Sequence, residues 1–262
     1  MKKLLPTLAL IGILIPNISL GVYSWTKDTD GTLSTNLVSY YALENVNDSF
    51  GANTLTNNNS VSFISGKYRN SSSLSGANSL QIHSPLTTAT DNVSMFGWVN
   101  ISGSSLSGAF FHNGLDINGV SDGYSLGVGN TTMDDSGNNL IGHLQNVAWI
   151  PFGCSIGTGW HYVGMERSGG TWRGYVDGSA CGTTYGNAPR TPSGDFIIGS
   201  DYPLSLAPHY FTGQVDEVGI WNKVLSATEK SDLYNSGTGS FYSEPISITT
   251  PTRRIKGAGI SR

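Results

Sequence analysis

The apolar residues of this chain come in short alternating runs, and that pattern limits the fold more than any other feature. Val38–Leu43, Ser79–Ile82, Val93–Ile101, Ala109–His112, Tyr124–Val128, Ile141–Leu144, Asn146–Ile150, Trp160–Arg167, Thr171–Val176, Phe196–Ile198 and Phe211–Trp221 each read as a strand. Clusters of Gly, Asn, Ser and Asp separate them. Neighbouring side chains on a strand point to opposite faces, so a two-residue period suits a half-buried sheet and not a helix. Val93, Met95 and Val99 lie on one face of their run and Phe96 and Trp98 on the other, so this strand is covered on both sides or lines a concave surface. More than ten such strands with one helical segment predict an all-β, two-sheet antiparallel sandwich.

The helical segment is short. Ser226 has the N-cap chemistry and Glu229 follows at the capping-box spacing. Leu225 would serve as a staple, Leu233 and Tyr234 would face the core, and Gly237 would end the turn. Composition agrees with a turn-rich globular chain. Glycine is 34 of 262 residues and charged residues are 12%, about half the usual ~25%. A coiled coil or helical bundle needs Ala, Glu, Lys, Leu and Arg in bulk, and is excluded.

The ends carry a charge unlike that of the body. Lys2 and Lys3 precede an apolar stretch to Leu20 whose uninterrupted part, Thr7 to Ile15, fits a signal-peptide core and is too short to span a bilayer. Residues 1–21 therefore read as a signal peptide cleaved after Gly21, or after Ser24, with an uncleaved anchor as the alternative. The mature chain would then be secreted or displayed on a cell or virion surface, with no membrane span. Residues 22–36 read as a polar leader and 243–262, with Arg253, Arg254, Lys256 and Arg262, as a flexible basic tail. The stretch between the ends holds 8 basic and 17 acidic residues, a net of −9. A body that acidic has no footprint for phosphate backbones, so nucleic acid is not an expected partner.

Export makes Cys154 and Cys181 legible as a disulfide. Trp160–Arg167 and Thr171–Val176 read as a hairpin turning at Gly169–Gly170, and the cysteines sit just beyond its open ends, where a bridge would clamp it.

The segment FTGQVDEVGIWNKVLSATEKSDLYNSGTGSFY, residues 211–242, resembles the closing part of laminin-G-like, concanavalin A-like jelly-roll domains. LVSYYALENVNDSFGANTL resembles the first strand with its acidic loop, and SGKYRNSSSLSGANSLQI the lead into the next strands. VSMFGWVN, GYSLGV, GWHYVGMERSGGTWRGYVDG and FIIGSD follow in order, so the resemblance covers Leu37 to Tyr242. It implies a jelly roll of two antiparallel sheets over 37–242, one of them concave. Such domains bind sugars or proteins, build surface and virion architecture, or act as glucanases and lyases.

The resemblance also implies a structural calcium that joins the first-strand loop to the final strand. Asp48 matches the loop and Asp216 the strand. Calcium takes six to eight oxygens, so backbone carbonyls and Asn47 would complete the shell. For ligand binding, Trp149 could serve as an aromatic platform, and Asp134, Asp135 and Asn138 in the 132–138 loop as hydroxyl acceptors. Tyr124 and Trp172 fall in or beside the strands expected to form the concave sheet, but Trp160, Trp172 and Trp221 fall at positions that are core in such domains. No catalytic residues are assigned. Jelly-roll glucanases carry paired acids on one strand, and no Glu–x–Asp–x–x–Glu arrangement occurs. Asp216 and Glu217, being adjacent, should point to opposite faces. His143, Gln145 and Arg173 have residue types found in lyases, at a spacing that is not diagnostic. The chain thus reads as a calcium-stabilised module that binds a glycan or a protein surface. The alternatives are a structural or adhesive surface protein and, behind it, a polysaccharide hydrolase or lyase.

Overall fold

The computed structural model describes residues 23–117, 120–201 and 208–243. Residues 1–22 and 244–262, which include the export segment and nearly all of the basic tail, lie outside it. The elements in chain order are β1 (Ser24–Trp25), β2 (Leu37–Tyr41), β3 (Thr56–Asn58), β4 (Ser62–Ser65), β5 (Asn70–Ser75), β6 (Ser79–Ile82), β7 (Val93–Ile101), β8 (Gly108–Ile117) and β9 (Val120–Gly129). Then come β10 (Asn139–Leu144), β11 (Ala148–Ser155), β12 (Gly159–Ser168), β13 (Thr171–Val176), β14 (Ser179–Tyr185), β15 (Asp195–Ile198), β16 (Thr212–Trp221), α1 (Ala227–Tyr234) and β17 (Tyr242–Ser243).

The strands form two antiparallel sheets, as the periodicity requires. One has seven strands in the order β11-β10-β9-β8-β15-β6-β3. The other has eight: β14-β13-β12-β7-β16-β5-β4, with β2 also paired to β16. Leu80, Val99, Phe110, Leu126, Leu140, Phe152, Val163, Phe196 and Val215, all at most 1% exposed, fill the space between the sheets. The other face of the eight-stranded sheet carries Phe96, Trp98, Tyr162 and Trp221, and α1 covers them through Leu233. β7 is thus buried on both faces, for the reason its two apolar faces gave.

The capping box on α1 forms as expected: the Ser226 hydroxyl accepts from the Glu229 N–H, and Glu229 accepts from the Ser226 N–H. The helix ends two residues before the expected glycine, because Asn235 adopts the left-handed conformation at φ 43°. Residues 24–36 pack against the domain rather than standing apart as a leader. Trp25 meets Tyr40 edge-on at 4.8 Å, Leu33 is fully buried, and Asp232 accepts from Thr29 N–H at 2.6 Å. β1 then pairs with β17, Ser24 opposite Ser243, so both ends of the domain close at one place.

Cys154 and Cys181 form a disulfide. Its position differs from the expected clamp on one hairpin. Cys154 lies in β11, the outermost strand of one sheet, and Cys181 in β14, the outermost strand of the other, so the bridge ties the two sheets together along one edge.

Candidate functional site

The helix and the N-terminal strap cover much of the outer face of the eight-stranded sheet, and the outer face of the seven-stranded sheet carries a polar row. Cross-strand pairing sets Gln81, Ile197, His112, Ser125, His143 and Trp149 side by side there, one from each of six neighbouring strands. The row lies outside the inter-sheet core, yet Gln81, Ile197, His112 and Ser125 are at most 2% exposed, so its polar groups are satisfied by one another rather than by water. The His112 ring bonds the Ser125 hydroxyl at 2.8 Å, and Gln145 donates to that hydroxyl at 3.3 Å. Gln81 donates to the buried Asp195.

Trp149 ends the row. The His143 ring stacks on it with centroids 3.5 Å apart, and the His209 ring meets it edge-on at 5.5 Å. Met133, from the 132–138 loop, packs in a small cluster with Ala109, Ile141 and Trp149. His209 is held at both nitrogens: Nδ1 pairs with Asp201, which is fully buried, and Nε2 with Asp134 at 2.6 Å. Burial works against the His209 charge, but the two carboxylates outweigh it and raise its pKa to about 9. At His143 burial outweighs the pull of Asp201 and Asp134 and, with the neighbouring His209 and His112, pushes the ring down to about 3, so it stays neutral.

Two clefts flank these rings. One, of about 440 Å³, is lined by Ser121, His143, Gln145, Asn146, Val147, Ala148 and Trp149. The other, of about 300 Å³, is lined by Gly76, Ser107, Met133, Asp134, Pro208, His209 and Tyr210. Of the ligand-binding candidates read from the sequence, Asp134 and Trp149 come together here, through His209. Asp135 accepts from the Thr131 hydroxyl at 3.2 Å, the Asn138 main-chain carbonyl accepts from Ile156 N–H at 2.6 Å, and neither residue lines either cleft. Tyr124 and Trp172 are both buried between the sheets, their rings 5.1 Å apart. Arg173 lies on the other sheet, beside Glu166 and Tyr175, and does not converge with His143 and Gln145.

The aspartates expected to share a calcium find separate partners. Asp48 accepts from the N–H groups of Tyr40, Phe50, Gly51 and Asn53, which organises its loop and occupies its carboxylate. Asp216 accepts from the N–H groups of Lys67 and Tyr68 through Oδ2, while its buried Oδ1 has no hydrogen-bond partner.

Asp216 and Glu217 point to the same face, contrary to the expected alternation. Pairing of β16 with β7 shifts by one residue between Asp216 and Gly219, and Glu217 adopts φ 52°. The bulge falls where β16 stops pairing with β5, at Val215, and starts pairing with β2, at Val218. Both acids are thereby directed outward, between the inward-facing Val215 and Val218. Glu217 takes a hydrogen bond from the Tyr40 hydroxyl on one oxygen, and its other buried oxygen has no hydrogen-bond partner. Burial pushes Asp216 up to about 8, and burial together with the Asp216 charge raises Glu217 as well. Among the described residues, no group of three or more His, Cys, Asp or Glu is arranged to hold a metal ion. A cation at this bulge would have to lean on backbone carbonyls.

The family model described as the concanavalin A-like lectin/glucanases superfamily, of laminin-G type, matches residues 74–229. The chain belongs to this family. Neuronal pentraxin-2 of Mus musculus is 32% identical over 113 residues, covering 39% of this chain and 26% of the relative. The chain thus matches about a quarter of that protein's length. Among solved structures, domain 4 of AbnA, a GH43 extracellular arabinanase from Geobacillus stearothermophilus in complex with arabinotriose, aligns with a TM-score of 0.60 at 20% identity. That alignment covers 75% of this chain and 97% of the domain. The binding domain of botulinum neurotoxin DC in complex with SialylT aligns at 0.57 and 14% identity, over 78% and 52% of the two chains. A Trypanosoma rangeli sialidase with sialic acid aligns at 0.55 and 15%, over 78% and 34%. At these identities the structural likenesses establish the fold.

Proposed function

We propose that this protein is an exported, non-catalytic binding module that takes a glycan at the cleft beside Trp149. The observation that carries the reading is that the half-buried Trp149 ring lines a polar cleft, steadied from within by His143 and His209. A sugar needs an aromatic surface for its C–H face and fixed polar groups for its hydroxyls. Gln145, Asn146 and Ser121 provide the second beside the first. Structurally similar proteins were solved with arabinotriose, with SialylT and with sialic acid.

Glycosidic hydrolysis uses two carboxyl groups about 5 to 9.5 Å apart across the bond. Asp134 is the one carboxylate among the described residues lining either cleft, and His209 holds it. Glu166 is tied to Lys230, Glu229 caps the helix, and Glu217 is buried under Tyr40. Export is supported by the Lys2–Leu20 pattern and by the Cys154–Cys181 bridge, which suits an oxidising compartment. We also propose a structural calcium at the Asp216–Glu217 bulge, without Asp48. Its support is the two buried carboxylate oxygens left without hydrogen-bond partners.

A second reading, a structural or adhesive surface protein, draws on the β1–β17 pair, which brings both ends of the domain to one side as a tethered domain needs. A glycan array run with and without chelator separates the two. Binding that falls on the order of tenfold in Trp149→Ala supports the module. No binding to any glycan, with assembly into an ordered array, supports the second reading and ends the first.

A further inference from the structure

The two clefts share a wall. Trp149 lines the first and His209 the second, and their rings touch edge to face with centroids 5.5 Å apart. The ring pair is therefore the wall, or saddle, between the two clefts. Each cleft alone sits at the low end of the roughly 300–1,000 Å³ that a drug-sized ligand fills. The saddle is stiff. His209 is fixed by Asp201 beneath it and Asp134 beside it, and Met133 packs with Trp149 from the same loop that supplies Asp134.

The charges along this path have a definite sign. In the first cleft the His143 ring is neutral, because burial holds its pKa near 3. At the saddle one imidazolium faces two carboxylates, which leaves one negative charge, and the Asp134 carboxylate is 59% exposed. An anionic group lying over the saddle would meet that carboxylate and lose its water without gaining a cation. Hydroxyl groups would instead donate to Asp134 in a charge-assisted bond.

Resting on the glycan reading above, we propose that the two clefts are subsites of one groove, and that the ligand is a neutral oligosaccharide chain lying across the Trp149–His209 saddle. The chain seats one sugar against Trp149 and a later one against Asp134. Terminal sialic acid and other acidic sugars are rejected at the saddle.

A ladder of neutral oligosaccharides tests this by isothermal titration. The probes are arabinose, arabinotriose and arabinohexaose, with matching glucan and xylan series, and sialyllactose as the acidic probe. The expected result is an affinity gain on the order of tenfold or more from monosaccharide to the longer members of one series, with sialyllactose weaker than neutral trisaccharides. Asp134→Ala should remove most of the gain for the long ligand while its melting curve shows a folded protein. Asp134→Asn, which keeps a hydrogen-bonding side chain, should restore part of it. A monosaccharide that binds as well as its hexamer, or sialyllactose that binds best, overturns the groove and leaves the glycan reading standing. Binding by none of the probes and by no glycan on the array ends both.

Discussion

Breaking the Cys154–Cys181 bridge should loosen one edge of the sandwich and leave the rest intact. The bridge closes a loop with a sequence separation of 27 and joins β11 to β14, the outermost strands of the two sheets. On the chain-entropy account a loop of that length removes unfolded-state freedom equivalent to about 3.5 kcal/mol. For a domain of this size each kcal/mol shifts the melting temperature by about 2–4 °C, so reduction should lower it by roughly 7–14 °C. The loss should also be local. Phe152 sits against Gly142 of its own sheet and Gly174 of the other, and this contact spans the same edge as the bridge. Hydrogen exchange should therefore rise first in 148–155 and 179–185, and later in β7 and β16, which are buried on both faces. The assay is differential scanning calorimetry of oxidised and reduced wild type beside Cys154→Ala/Cys181→Ala, with exchange mass spectrometry. Comparing reduced wild type with the double variant separates the cross-link from the packing of the two sulfurs. Oxidised and reduced protein melting within about 2 °C of each other would mean that inter-sheet packing holds the edge alone, without the cross-link. Trp149 lies on the bridged strand β11, so the same reduction should weaken glycan binding.

In chelator, the acidic pair should make the protein less stable as pH rises. Asp216 has a raised pKa in the folded state, so the native protein holds a proton that the unfolded chain releases between about pH 4 and pH 8. Stability is then fully present below that window and falls across it, by an amount on the order of several kcal/mol. Asp216→Asn keeps the acceptor for Lys67 and Tyr68 and removes the charge, so its profile over the window should be much flatter; a slope equal to that of wild type counts against the assignment. Calcium at a hundredfold excess over Kd should raise wild-type stability at pH 8 by about 2.7 kcal/mol and leave Asp216→Asn unmoved, and an unchanged wild-type melting curve removes the cation from the bulge. Ser226→Ala should cost about 1 kcal/mol in urea unfolding, because the Glu229 N–H loses its acceptor; a change under a few tenths would mean that Leu225 and Leu233 fix the helix without the cap.

What the sequence determined by itself was what depends on neighbours along the chain. The apolar alternation of Val93–Ile101 and Thr171–Val176 names those strands to the residue, and Ser226 with Glu229 sets the helix start. The final-strand and hairpin motifs were enough for the family. Asn70–Ser75 and Ser179–Tyr185 were not legible as strands, because their composition is that of turns. Backbone pairing with β16 and β13 makes them strands, and that pairing leaves no mark on side-chain type. The bulge at Glu217 was equally hidden: it arises where β16 changes partner from β5 to β2, and it reversed the facing of Asp216 against Glu217 that alternation predicts. Trp149 and Asp134 could be named from the sequence as candidates, but not as neighbours. Their junction is His209, 75 positions beyond Asp134, and a ring placed by one buried aspartate and one loop carries no local pattern. The strands are local and the ring pair is not, because Trp149 comes from β11 and His209 from the connection between β15 and β16.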